Sequence, residues 1–170
     1  MATNALRKRE SFQTGKRAES LFERVAKKAH FKVHKANRDQ NMNQHIDFFI
    51  SCYHFNFSVD VKARKKISRG DSEVNDAWTW IEFKNVIGKD GWIKGKADFI
   101  AFEFENSFLI VKRAELRELC KKLIKDTKTR VTKAKDAKYL LYTRHGRKDL
   151  VTQIKLSDIK NNLKTWDWCK

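Results

Sequence analysis

The sequence predicts an α/β protein, and three features carry that prediction. A helical period opens the chain, a run of alternating residues follows it, and a second helical period comes after further strand-like segments. With 170 residues, 41% of them hydrophobic and 12% aromatic, the chain has material for a core and a length that fits one domain.

The first helix is expected from Thr14, as its N-cap, to about Ala29, because Ala18, Leu21, Phe22, Val25, Ala26 and Ala29 fall on one face. Glu19 lies at the edge of that face. Phe31 and Val33 alternate in a short strand at 31–35, and a polar loop at 37–44 leads to a strand at 46–50. There Ile46, Phe48 and Ile50 share one side and Asp47 takes the other. After a turn at 52–54, residues 55–62 alternate most regularly. Phe55, Phe57, Val59 and Val61 point one way, and Asn56, Ser58, Asp60 and Lys62 the other.

A basic loop, Ala63–Gly70, comes next, then an apolar strand or short helix at 78–85. A tight loop is expected where Gly88, Gly91 and Gly95 surround Trp92. Strands follow at 97–104 and 107–112, and an amphipathic helix at 114–125 carries Leu116, Leu119, Cys120, Leu123 and Ile124. A basic stretch at 128–138 precedes a hairpin of 139–143 and 150–156. Ser157 is expected to cap a last helix carrying Ile159, Leu163 and Trp166.

The net charge of +17 points to a polyanionic partner, and its distribution narrows the reading. Residues 1–40, 61–70 and 111–148 carry +7, +5 and +10, whereas 41–60 and 71–110 carry −2 and −4. Carboxylates repel phosphate, so a protein that only coats nucleic acid has no use for an acidic centre, while one that cuts it needs acids to hold a metal. Ordinary surface charge is the alternative. No apolar run approaches a membrane span, and residues 1–10 lack a signal-peptide core. Cys52, Cys120 and Cys169 are scattered and odd in number, which fits a reducing, cytoplasmic setting and supports no zinc site.

An acid two places before a lysine occurs five times, at Asp60, Glu82, Asp126, Asp136 and Asp158, so the pattern alone has no weight. Asp60 and Glu82 have apolar, strand-like flanks, and Asp60 also has Asp47 one short turn upstream. On a strand the side chains of Asp60 and Lys62 leave the same face about 7 Å apart, and Val61 anchors the strand to the core. Glu82 and Lys84 are the competing pair and possible auxiliary groups. Arg64, Lys65, Lys66 and Arg69 directly follow the strand, where a phosphate backbone would pass; solvated loop charge is the alternative. Trp78, Trp80 and Trp92 are candidates for stacking on unpaired bases, and Trp166 and Trp168 for packing.

Glu19, Asp47 and Asp60-Val61-Lys62 together resemble the PD-(D/E)XK nuclease superfamily, most closely its small Holliday-junction-resolvase-like and phage-encoded members. The resemblance spans about 14–125. It implies an αβββαβ restriction-endonuclease-like core, a central mixed sheet flanked by helices, with the hairpin and helix of 126–170 as an appendage to a single domain of 1–170. It also implies Mg²⁺, with Mn²⁺ as a substitute, held by Asp47 and Asp60 and completed by Glu19. Lys62 would position or activate the attacking water. The implied substrate is branched or junction DNA, with duplex DNA and RNA not excluded, and the implied assembly is a homodimer. Asp47 follows Ile46 rather than proline, and the insertion at 63–96 is long. Asp98, in the phage-nuclease-like stretch 80–103, is a further acid to place. The rival expectations are a sequence-specific endonuclease of restriction or homing type on this fold, and a non-catalytic nucleic-acid-binding protein.

Overall fold

The computed structural model describes the backbone of residues 4–66 and 71–170, and the side chains of 9–66 and 71–170. Arg69 lies outside the described residues. The chain forms a mixed α/β structure built on two sheets. The first has six strands: β1 (Lys32–Lys35), β2 (Phe48–Cys52), β3 (Phe55–Lys62), β5 (Phe99–Glu103), β6 (Ser107–Lys112) and β10 (Thr165–Cys169), in the order β1-β2-β3-β5-β6-β10. The β3–β5 pair is parallel and the other pairs are antiparallel. Between β3 and β5 the chain leaves this sheet to lay down β4 (Trp78–Lys84). That strand joins β7 (Asp126–Val131), β8 (Leu140–Tyr142) and β9 (Leu150–Lys155) in a second sheet of order β4-β9-β8-β7.

Alternation on the first sheet separates two cores. Val59, Val61, Ala101, Phe108 and Ile110 face α1 (Asn4–Lys28), which buries Ala18, Phe22, Val25 and Ala26 against them. Phe22 is fully buried between the rings of Phe48, Phe108 and Trp168, a burial that contributes about 1.5–3 kcal/mol. Ile100, Phe102, Leu109 and Val111 face the other way, onto α3 (Arg113–Leu123), α4 (Leu156–Asn162), the 3-10 turn Trp92–Lys94 and the inner face of the second sheet. The side of β3 that bears Asp60 and Lys62 therefore looks into the layer opposite α1.

Several expectations change. Thr14 does not cap α1: the residues before it are helical, and its hydroxyl donates to the Glu10 carbonyl one turn back, at 2.9 Å. Residues 37–44 are not a loop. Asn37 and Gln40 form a reciprocal capping box that starts α2 (Arg38–Gln44). Ser157 lies inside α4, whose cap position is Lys155 without a side-chain bond. Trp166 is on β10, not on the last helix, because Trp166 and Trp168 pack on Phe99 and on Phe22 and Phe31. Of the two readings open for 78–85, the strand is the one formed, and α3 follows β6 in the order expected for the helix at 114–125. The chain thus returns in parallel from β3 to β5 through β4 and the 3-10 turn. Among the described residues, no helix is long and apolar enough to cross a membrane.

Candidate metal and phosphodiester site

The site grows from the end of β3. Phe48 pairs with Val59, and continuing that register sets Asp47, just before β2, across from Asp60. The Asp47 amide donates to the Val59 carbonyl at 2.9 Å. Its carboxylate accepts from the Val61 amide at 2.7 Å through Oδ2 and from Asn41 Nδ2 at 2.6 Å through Oδ1. Asp47 is thereby fixed in orientation, with lone pairs left on both oxygens.

Asp60 is buried, at 3% exposure. Lys62 Nζ lies 2.6 Å from its Oδ1, while Oδ2 has no hydrogen-bond partner among the described residues. Burial pushes the Asp60 carboxyl up to about 7; Lys62 opposes this and the Asp47 carboxylate adds to it. Lys62 in turn sits over the Trp92 ring, 4.9 Å from its centroid. Trp92 is buried at 6% exposure, so it is a floor for Lys62 and not a surface for stacking bases.

Asp47, Asp60 and Lys62 line an open cavity of about 310 Å³, together with Ser11, Phe12, Gly15, Lys16 and Glu19 of α1, Asn41, His45 and Val61. Glu19 reaches the cavity from the far side of the sheet, and its carboxylate is taken by Lys16 at 2.6 Å. Three of the expected acids thus share one cavity. Among the described residues, however, no three His, Cys, Asp or Glu side chains are grouped to hold one metal ion. The nearest approach to a metal site is the Asp47–Asp60 pair. A buried carboxylate oxygen without a donor, beside a second carboxylate, suits a hard divalent cation. Mg²⁺ commonly takes only one or two protein carboxylates and completes its shell with water and phosphate. The residues present fit such an ion.

Glu82 and Lys84 lie on β4 and do not line the cavity; Glu82 is half-buried and Lys84 exposed. Glu82 still acts at a distance on His45. Burial holds that imidazole below its usual range, Lys62 pushes it further down, and Asp90, Glu82 and Asp47 work against this. Asp98 is committed elsewhere: its Oδ2 accepts from the Ser58 amide and hydroxyl, each at 2.8 Å, and so ties β3 to β5. Among the loop cations, Arg64 is paired with Asp76 at 2.7 Å, whereas Lys65 and Lys66 are exposed.

Sequence reasoning passed over Lys16, Asn41 and His45. The Asn37–Gln40 capping signature could have revealed α2 and hence Asn41. His45 gave no signal, because its left-handed φ of 55° and its place beside Asp90 are properties of the folded chain. No family model matches the chain, and the search of curated proteins and of solved structures returned no match.

Proposed function

We propose that this protein is a Mg²⁺-dependent endonuclease that hydrolyses phosphodiester bonds in DNA, branched or junction DNA above all, and works as a homodimer. The observation that carries the reading is the buried Oδ2 of Asp60, without a hydrogen-bond partner among the described residues, set beside Asp47 and Lys62 in the lining of an open cavity in a strongly basic protein. On this reading α1 and β1–β3 correspond to the first part of an αβββαβ core, and residues 63–98 are an insertion before the parallel strand β5.

Asp47 and Asp60 would hold Mg²⁺, with Mn²⁺ able to replace it and Glu19 joining directly or through water. The ion supplies charge for the phosphate oxygens and acidity for a bound water. The chain's own groups have separable tasks. Asn41 and the Val61 amide keep Asp47 in one orientation. Lys62, released from Asp60 Oδ1 once that carboxylate is engaged, holds the attacking water or the charge that builds on the phosphate. Lys16, Lys65 and Lys66 offer contacts to the phosphate backbone, which position the strand without reading its sequence.

Asp60→Asn and Lys62→Ala are each expected to lower Mg²⁺-dependent cleavage of a four-way junction at least about 100-fold, on the scale of removing one positioned charge-stabilising group. Binding measured in EDTA should remain within a few-fold. A wild-type protein that cuts neither junction nor linear duplex with Mg²⁺ or Mn²⁺ removes the proposal. It leaves a second reading, a nucleic-acid-binding protein without catalysis, which the Asp60–Lys62 and Lys16–Glu19 ion pairs favour because they already neutralise the acids.

A further inference from the structure

The described part of α1 before Ala18, residues 9–17, presents its side chains mainly to solvent. Arg9 to Thr14, Lys16 and Arg17 are exposed, and Ala18 begins the packed part. In that solvent-facing part Phe12 is 65% exposed. A single exposed phenylalanine is ordinary. This one, however, lines the cavity that contains Asp47, Asp60 and Lys62. Phe12, Lys16 and Glu19 are spaced i, i+4 and i+7, so they form one stripe down the helix. The Phe12 ring stands about 10 Å along the axis from Glu19. The Lys16 ammonium lies between them, 5.7 Å from the ring centroid and 2.6 Å from Glu19, and most of the ring remains in solvent.

We propose that Phe12 stacks on an unpaired nucleobase adjoining the phosphodiester bound at Asp47, Asp60 and Lys62. Inside a duplex both faces of each base are covered by its neighbours, so an exposed phenyl ring finds a free face only at a branch, a gap or a strand end. The cavity, at the lower end of the size range of small-ligand sites, accepts nucleotide-sized groups rather than a duplex. The chemistry around it is matched to one nucleotide: Lys16 and Lys62 for phosphate, Phe12 for a base. The inference rests on the nuclease reading for the identity of the bound phosphodiester and adds to it the state of the base.

The test uses the full chain in EDTA and two labelled probes, an intact duplex and the same duplex with a one-nucleotide gap. Wild-type protein should prefer the gapped probe. Phe12→Ala should lose about 5- to 150-fold in affinity for that probe alone, the equivalent of one aromatic stack, and Phe12→Trp should keep the preference. Because Phe12 is exposed, both variants should fold. Equal loss on both probes, no loss, or no preference in the wild type overturns the proposal. So does conversion of a dimer to a monomer by Phe12→Ala in sedimentation, which would make the ring a contact with a second copy. Cleavage with Mg²⁺ is scored separately: no cutting with the gap preference intact removes the nuclease reading alone, and cutting without the preference removes this inference alone.

Discussion

At the scale of single residues, Asp60 concentrates the tension in the molecule. Its carboxyl has an ordinary value of 3.8 and is raised to about 7 by burial. A raised acid favours the folded state while protonated. Its contribution is complete below the ordinary value and disappears as pH rises through about 7. The metal-free wild type should therefore lose melting temperature relative to Asp60→Asn between about pH 4 and 8, and Mg²⁺ at pH 7.5 should restore the wild type but not the variant. Parallel melting curves for the two proteins across that range would show that Asp60 does not titrate there. Glu103 is the contrasting case. Burial raises it, but hydrogen bonds from Arg17, Lys170 and the Arg64 amide outweigh burial and hold its carboxyl below the usual range. A buried acid with three donors is structural, whereas a buried acid with an oxygen left over is available for a ligand.

At the scale of elements, the site depends on two close backbone approaches. Gly91 leads into the 3-10 turn beneath Lys62, and a Cβ there would stand 2.3 Å from the Glu82 carbonyl oxygen. A Cβ on Gly95 would stand 2.8 Å from His45 Cβ, and the next amide, of Lys96, donates to the Gln44 carbonyl at 2.7 Å. Through these contacts the turn braces the end of α2 and hence His45 and Asp47. Gly91→Ala should destabilise the protein by about 1–3 kcal/mol, the usual cost of forcing volume into a packed site. Gly15→Ala should do the opposite. Nothing lies within 4 Å of a Cβ there, and alanine in a helix gains about 0.5–1 kcal/mol over glycine. Denaturant titration of both variants checks the pair of signs.

At the scale of the whole molecule, a net charge of +17 accompanies an acid-bearing strand end. Lys170 reaches Glu103 on β5 at 3.1 Å and Arg17 reaches it from α1 at 2.7 Å, so strand β10 and the helix that carries Glu19 are fastened to the same carboxylate. If about six phosphates are neutralised, log affinity for duplex DNA in EDTA should fall with log salt at a slope near −5. A slope near zero would deny the basic surface any role in backbone binding. The slope should be almost the same for Phe12→Ala, since a phenyl ring displaces no counterions.

Periodicity decided what local chemistry can decide. The alternation of 55–62 specified β3 and put Asp60 and Lys62 on one face, and the apolar stripe from Ala18 specified the buried side of α1. Those patterns arise from side-chain direction within one element, which the sequence contains in full. Where β10 docks and why Trp92 lies under Lys62 are contacts between distant segments, and no local period encodes them. The candidate site divides along the same line. The sequence by itself determined which acids share a strand face or a short turn with Lys62. Only the tertiary structure decided that Asn41 and Val61 orient Asp47, and that burial leaves one oxygen of Asp60 without a partner among the described residues, because burial is a property of the layers closing around a residue.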